Sequence, residues 1–339
     1  MKHWSIALAT LLLISTAVGC KQSSSPAPAT VVIYVSEDQV FAEPILRDFE
    51  KETGIQVRAV YDTEEAKSAG VMNRLLAEQT NPQADVYWAN EPMRAAVLQQ
   101  RGVAAPYVSP NAAEIPATFK DPRGYWTGFS ARARILLVNK HVKDKPQSIL
   151  AYTDPRWKNK AVIANPLFGT TTAEMAALFS IWGDERGRAF LRDMKKNDIR
   201  MSTSNGESAD FVASGESQFA LVDSDDAFNR IQQHKPVEVV YPDQQEGEVG
   251  VLIVPNAVVA IKGGPHPAET RKLIDYLLSR ETERKLAYAD CAQIPLHPDV
   301  DAPAHVPRIE TLKTMAVNYA EVATKMQQIQ PFLKAWVGY

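Results

Sequence analysis

Eight strand-length apolar runs of four to six residues recur along the chain, at 31–35, 56–61, 85–88, 135–139, 161–164, 219–222, 237–241 and 258–261. Between most of them lie stretches with helical periodicity, the longest in the second half at 173–182, 184–195, 267–279, 282–289 and 310–328. Two parallel strands need a crossover connection, and a helix is the usual one. The alternation therefore predicts an α/β architecture with mostly parallel sheets. At 339 residues the chain is long enough for two compact units.

Several strands end in the same chemistry. Ser36-Glu37-Asp38-Gln39 follows the first strand, Asp62-Thr63-Glu64-Glu65 follows Tyr61, Thr171-Thr172-Ala173-Glu174 follows the 161–164 strand, and Ser204-Asn205-Gly206-Glu207 opens another helical stretch. Each has a capping side chain with Glu or Gln three residues on, the capping-box spacing. In open α/β sheets ligands sit beyond the carboxyl ends of parallel strands, where helix N-termini aim N–H groups. The caps therefore outline a cleft, although each also has a purely local role in satisfying its own helix.

The amino terminus has its own signature. Lys2 and His3 precede an apolar run at 6–18, a charged segment and a hydrophobic segment too short to span a bilayer. Residues 1–19 are expected to be a secretion signal. Thr16-Ala17-Val18-Gly19-Cys20 resembles the lipobox of bacterial lipoproteins, which implies a lipid on the Cys20 thiol. The Ser/Pro/Ala stretch that follows makes 20–30 a flexible tether, so the folded part begins near Val31. Only Cys291 remains as a second cysteine, leaving no intrachain disulfide.

A formal net charge of -3 and the lack of a Lys/Arg cluster exclude nucleic acid as a partner. No Gly-x-Ser-x-Gly elbow, phosphate-binding loop or His-Glu-x-x-His occurs, the six His are dispersed, and Cys291 has no His beside it in sequence. The chain is expected not to be an enzyme.

Taken in order, "VIYVSEDQVFAEPILRDFEKETGIQVRAVYDTEEAK", "PQADVYWANEP", "YWTGFSARARILLVNK", "FALVDSDDA", "VPNAVVAIKGGPHPAETRKLIDYLLS" and "AQIPL" resemble the iron(III)-type family of periplasmic solute-binding proteins of ABC importers. The resemblance implies the type 2 periplasmic-binding-protein fold, two α/β lobes joined by crossover strands with a ligand cleft between them. It places lobe one at 31–128 plus 254–296, lobe two at 129–252, and a C-terminal helical segment at 297–339 packing on both. It implies a monomer in the periplasm or at the cell surface, held to the membrane only by its lipid, with permease and ATPase subunits as partners. A receptor-docking sensor would use the same cleft. Iron-binding relatives hold the metal with two adjacent tyrosines, a His in the first loop and an acidic residue in the third. The tyrosine positions fall here on Asp225 and Asp226, the first-loop position near Asp38, and the acidic position near Asn90 and Glu91.

From the residues themselves, Asp38, Glu91, Asp223, Asp225 and Asp226 form an all-oxygen set that suits a hard cation, with Asp38, Glu91, Asp225 and Asp226 as the metal ligands. Capping of the helix after 219–222 is the bland alternative for the aspartates. Thr170, Thr171, Thr172, Ser204, Asn205 and Gly206 open two helices that could hold an anion, in positions resembling those where relatives hold phosphate or carbonate. Arg132 and Arg134 add positive charge, one expected to face the cleft and the other away. Ser36, Tyr61, Asp62, Thr63 and Trp88 end strands at the same rim, where Tyr61, Tyr87 and Trp88, with Trp126 nearby, offer an aromatic wall or simply core packing. No resident cofactor is implied. The expected cargo is iron(III) or another hard cation with phosphate or carbonate as co-ligand. The alternative is a zwitterionic or anionic organic solute such as an aminophosphonate, or a polyamine.

Overall fold

The structure, a computed structural model, describes residues 28–62 and 69–338. The signal segment, Cys20, most of the tether and Thr63 lie outside the described residues.

In chain order the elements are β1 (Thr30–Val35), α1 (Gln39–Thr53), β2 (Gln56–Tyr61), α2 (Ala69–Ala77), β3 (Val86–Ala89), α3 (Pro92–Gln100), β4 (Ala104–Ala105), β5 (Thr127–Asn139), β6 (Ala161–Ala164), α4 (Gly169–Trp182), α5 (Asp184–Lys196), β7 (Arg200–Ser202), α6 (Asn205–Ser214), β8 (Phe219–Asp223), α7 (Ser224–Gln232), β9 (Val237–Val240), β10 (Ile253–Ile261), α8 (Pro267–Leu277), α9 (Arg280–Tyr288) and α10 (Tyr319–Val337). The strands join edge to edge in the order β2-β1-β3-β10-β5-β8-β6-β7, with β4 also on β10 and β9 on β5. Two parallel groups, β2-β1-β3 and β8-β6-β7, flank a central antiparallel pair. The sheet is thus mixed where the run pattern predicted mostly parallel pairing.

The central pair decides the architecture. β5 pairs with β10 from Thr127 to Ala133 and with β8 from Arg134 to Val138, so it leaves one group and enters the other within one residue. Opposite the crossing, β10 shifts register between Pro255 and Asn256. Ser130 in β5 adopts φ 39°, a left-handed conformation strained for a residue with a Cβ. Its N–H donates to Glu283 Oε1 at 2.8 Å and its carbonyl accepts from Asn256 Nδ2 at 2.7 Å, so the kink is held from both sides. All thirteen residues of β5 are buried. Both crossing strands are longer than the apolar runs suggested, because polar residues interrupt the pattern where the strands bend.

The C-terminal helix begins at Tyr319, not near 310 as the periodicity predicted. Val251 pairs with the chain at 313–315, donating to Lys313 O and accepting from Met315 N, both at 2.9 Å, and Asn318 then caps the helix. Long-range pairing overrides local helix propensity there. α10 lies against α3 on one side of the crossing and α4 on the other. Tyr319 donates to Ile253 O at 2.7 Å, and Trp336 donates to Leu191 O at 2.7 Å. Cys291 is free and buried, its thiol pushed up by burial and its Sγ 3.4 Å from Leu286 O. No helix among the described residues is long and apolar enough to cross a membrane.

Candidate functional site

The carboxyl ends of β1, β3, β6, β7 and β8 converge on one cavity of about 630 Å³. Glu37, Asp38 and Asn90, following β1 and β3, line it together with Arg132 of β5 and the segments 164–171, 203–206 and 223–226.

At the head of β8, the three acids diverge in role. Asp223 is the N-cap residue of α7, yet its side chain makes no capping bond. Its Oδ1 accepts from Arg134 Nη1 at 2.9 Å, and its Oδ2 accepts from Thr170 Oγ1 at 2.8 Å and Asn205 Nδ2 at 3.2 Å. Arg134 is fully buried and also donates to Thr170 Oγ1 at 3.0 Å and Thr171 Oγ1 at 3.2 Å. Arg134 and Asp223 face each other across the β5–β8 ladder, so strand register delivers the pair. Burial works to raise the Asp223 carboxyl, but Arg134 and Arg132 outweigh it and hold it below the usual range. Asp223 is therefore the keystone that locks the N-termini of α4 and α6 to β8.

Asp225 and Asp226 are left differently. They sit half-buried in the first turn of α7, and the nearest oxygens of all three aspartates lie within 4.8 Å of one another. Among the described residues the only hydrogen bond to either carboxylate is from Asp226 N to Asp225 Oδ1, at 3.0 Å, and neither makes an ion pair there. Burial, opposed by Arg132, pushes Asp225 up to about 6. Burial together with the Asp225 and Asp223 charges pushes Asp226 well above the carboxylate range. Neither carboxylate caps α7, although both stand in its first turn, where the helix dipole favours negative charge.

Amide donors adjoin them. Ser204 caps α6 by accepting from Glu207 N at 3.1 Å, while α4 starts at Gly169 with Phe168 as its N-cap residue and no side-chain cap. A Cβ placed on Gly206 would lie 3.6 Å from Asp226 Oδ1, so the α6 amino end borders the acid pair. Of the four capping boxes read from the sequence, Ser204 provides the side-chain cap. Asp38 stands at the N-cap of α1 without capping it, and α4 starts two residues before Thr171. The Asp62 box lies mostly outside the described residues.

Residues two apart on a strand share a face, and both arginines lie near Asp223, yet Arg132 lines the cavity and Arg134 does not. Arg132 lines the cavity, is 6% exposed, donates through Nη2 to Asn90 O, and leaves Nε without a partner. Burial opposes its charge, but Asp223, Asp225, Glu37 and Asp38 hold the proton more firmly than usual.

Of the remaining expected residues, Asp38, Asn90, Thr170, Thr171, Ser204, Asn205 and Gly206 line the cavity. Ser36, Tyr61, Asp62, Trp88, Glu91 and Thr172 are not among its lining. Trp88 is fully buried and donates to Asn256 Oδ1 at 3.0 Å, a core role at the hinge instead of an aromatic wall. Ser36 Oγ is 2.9 Å from both Asp62 Oδ2 and Tyr87 Oη, tying β1, β2 and β3 together. Tyr61 is half-buried with Glu43, Arg47 and Glu50 as its charged neighbours, and burial raises its phenol to about 12. Glu91 stands behind the wall, 3% exposed, accepting from Arg94 Nε at 2.8 Å; burial raises its carboxyl against the pull of Arg94. Thr172 is buried on α4. The cavity also takes Glu37, Ala164, Asn165, Phe168, Gly169 and Thr203, which sequence reasoning did not single out. Glu37 and Thr203 were signalled by their position beside chosen residues, whereas Phe168 reads as core.

Residues 81–322 match the family described as bacterial extracellular solute-binding protein. A protein of Salmonella typhimurium named "Putative 2-aminoethylphosphonate-binding periplasmic protein" is 26% identical over 286 residues, 82% of each chain. The major ferric iron-binding protein of Neisseria meningitidis is 24% identical over 313 residues, 89% of this chain and 92% of that one. Among solved structures, iron-bound HitA from Pseudomonas aeruginosa superimposes with a TM-score of 0.80 at 21% identity, covering 90% of this chain and 99% of that one. AfuA from Actinobacillus pleuropneumoniae, with fructose-6-phosphate bound, gives 0.77 at 21% identity over 92% and 98%. The fold is the type 2 periplasmic-binding-protein fold.

Proposed function

Since this chain belongs to the family of bacterial extracellular solute-binding proteins, which are not enzymes, we propose that it captures a small two-ended solute for an ABC importer. The solute carries a cationic group and an oxyanion, as a small aminophosphonate does. The observation that carries this reading is the pairing, in one 630 Å³ cavity, of two acids that make no ion pair and no hydrogen bond to another side chain among the described residues with helix amino ends and the arginine Arg132. An ammonium group beside Asp225 and Asp226 removes the cost of burying adjacent like charges. An oxyanion at the amino ends of α4 and α6 meets backbone donors and a favourable helix dipole. The Salmonella relative's named solute has this two-ended chemistry.

Closure follows from the fold. β5 and β10 form the hinge, lobe one at 31–128 plus 254–296 brings Glu37, Asp38 and Asn90, and lobe two at 129–252 brings the acid pair and the helix ends. Residues 297–339 pack across both. Closing excludes water and strengthens each charged contact. The lobes then present the solute to the permease and its ATPase. The signal at 1–19, the lipid on Cys20 and the tether at 20–30 would hold a monomer at the membrane surface facing the periplasm or cell exterior.

The three aspartates within 4.8 Å favour a second reading, a hard cation such as iron(III) with a bridging anion. It fits less well, because both Asp223 oxygens are already engaged and two carboxylates remain in the cluster. A thermal-shift panel separates them: 2-aminoethylphosphonate, iron(III) with and without phosphate or carbonate, and spermidine. A ligand at one hundred times its Kd stabilises by about 2.7 kcal/mol. The account expects a rise with the aminophosphonate alone. A rise restricted to iron(III) with an anion selects the second reading, and no rise with any compound sinks both.

A further inference from the structure

Phe168 stands at an unusual place. It is 64% exposed, lines the cleft, and occupies the N-cap position of the fourteen-residue helix α4. N-caps favour Ser, Thr, Asp or Asn, whose oxygens satisfy the first helix amides. A phenylalanine there leaves those amides without a side-chain partner and also presents a phenyl ring to water. The fold gains nothing from either feature.

The ring's place is defined by backbone. Asn165 closes a turn, its Oδ1 accepting from Leu167 N at 3.0 Å and its carbonyl from Phe168 N at 3.2 Å. Gly169, at φ 58°, lines the same cavity and has nothing but its chain neighbours within 4 Å of where a Cβ would stand, so no side chain from another element fills the space beside the Phe168 backbone. Arg132 lines the same cavity at 6% exposure, but its Nη2 is engaged by Asn90 O and its charge faces Asp223, Asp225, Glu37 and Asp38, so the apolar contact of a guest falls to Phe168. The α4 amino end of the cavity therefore has an apolar flank beside its backbone amides.

We propose that Phe168 is a specificity-determining residue, selecting an oxyanion that carries a carbon chain over an inorganic oxyanion such as phosphate or carbonate. The inference rests on the two-ended solute proposed above and deepens it. A methylene chain attached to a phosphonate lies on the ring and removes apolar surface of both partners from water, whereas phosphate presents only polar oxygens. The same ring gives no advantage to a metal bridged by an inorganic anion.

Isothermal titration of the purified protein and of Phe168→Ala, each with 2-aminoethylphosphonate and with inorganic phosphate, tests this. The substitution is expected to weaken the aminophosphonate about tenfold, which is 1.4 kcal/mol, and to change phosphate by less than twofold. Phe168→Leu, which keeps an apolar flank, should retain most of the affinity. Equal losses for both ligands, or no loss for the aminophosphonate, overturn the role of Phe168 while leaving the proposed function standing. Failure of both ligands to bind the unsubstituted protein overturns the proposed function, and the selection by Phe168 falls with it.

Discussion

The acids behind the hinge and the acids in the cleft are both withdrawn from water, yet they differ in what faces them. Glu283 Oε1 accepts from Ser130 N at 2.8 Å and Leu296 N at 3.0 Å; its Oε2 accepts from His297 N at 2.9 Å and stands 2.8 Å from His297 Nδ1. The other imidazole nitrogen is 2.8 Å from Asn111 O, so acceptors flank both ring nitrogens. Burial opposes the charged ring, but Glu283 and the Asn111 carbonyl outweigh it and raise its pKa. Asp225, by contrast, accepts a single backbone amide, that of Asp226, and the Asp226 carboxylate accepts no hydrogen bond among the described residues. Donors surrounding an acid turn its burial into a fixed hinge. An acid pair left with so few donors costs stability when ionised, and on the proposed function a cationic group of the solute removes that cost.

Substitutions can break that contrast at either end. Glu283→Ala should cost the most, about 3–5 kcal/mol in denaturant unfolding, since it strips three backbone amides and an imidazole of their acceptor. A loss under about 1 kcal/mol would mean that this network does not hold the hinge. Arg134→Met should cost about 3 kcal/mol by leaving Asp223 buried without its cation. Adding Asp223→Asn to it should restore part of that loss, and an unimproved double variant would contradict the keystone role.

Titration gives a smaller effect. Asp225 holds its proton up to about 6 in the folded chain against 3.8 as its ordinary value, so ionising it disfavours the folded state. The empty protein should gain stability as pH falls from about 7 to about 4, by on the order of 2 kcal/mol from this group. His297, whose pKa is also raised, loses its contribution as pH rises and so acts in the same direction. The difference between the parent and Asp225→Asn isolates the aspartate; identical pH profiles would remove the case for an uncompensated acid. Smallest is Ser204→Ala, which should cost about 1 kcal/mol by removing the α6 cap. A cost near zero would show that another group satisfies the Glu207 amide.

Where one physical signal dominated, the sequence was readable. The short strands β1, β6 and β8 fall at the apolar runs 31–35, 161–164 and 219–222, because buried parallel strands are nearly uniformly apolar. The edge strand β2 at 56–61 shows instead through β-branched and aromatic residues, Tyr61 among them, that stand beside Gln56 and Arg58. β5 and β10 were half visible, since Ser130, Arg132, Arg134, Pro255 and Asn256 break the pattern at the crossing. The acid run at the end of β8 drew attention by its charge, but which acid was spoken for depended on Arg134 lying opposite Asp223 in register. Trp88 and Tyr61 looked like rim aromatics because sequence shows that a strand ends and not which way its last side chains turn. Phe168 carried the opposite ambiguity, an apolar residue indistinguishable from core until the turn at Asn165 placed it at the cavity.

Calorimetry on a single variant reaches the central claim most directly: Asp225→Asn with Asp226→Asn, titrated with 2-aminoethylphosphonate and melted without it. The account predicts binding lost by at least a hundredfold, about 2.7 kcal/mol, while the empty variant melts at the parent temperature or above it. Undiminished binding, or an empty variant that melts well below the parent, would contradict it and return those two aspartates to a structural role.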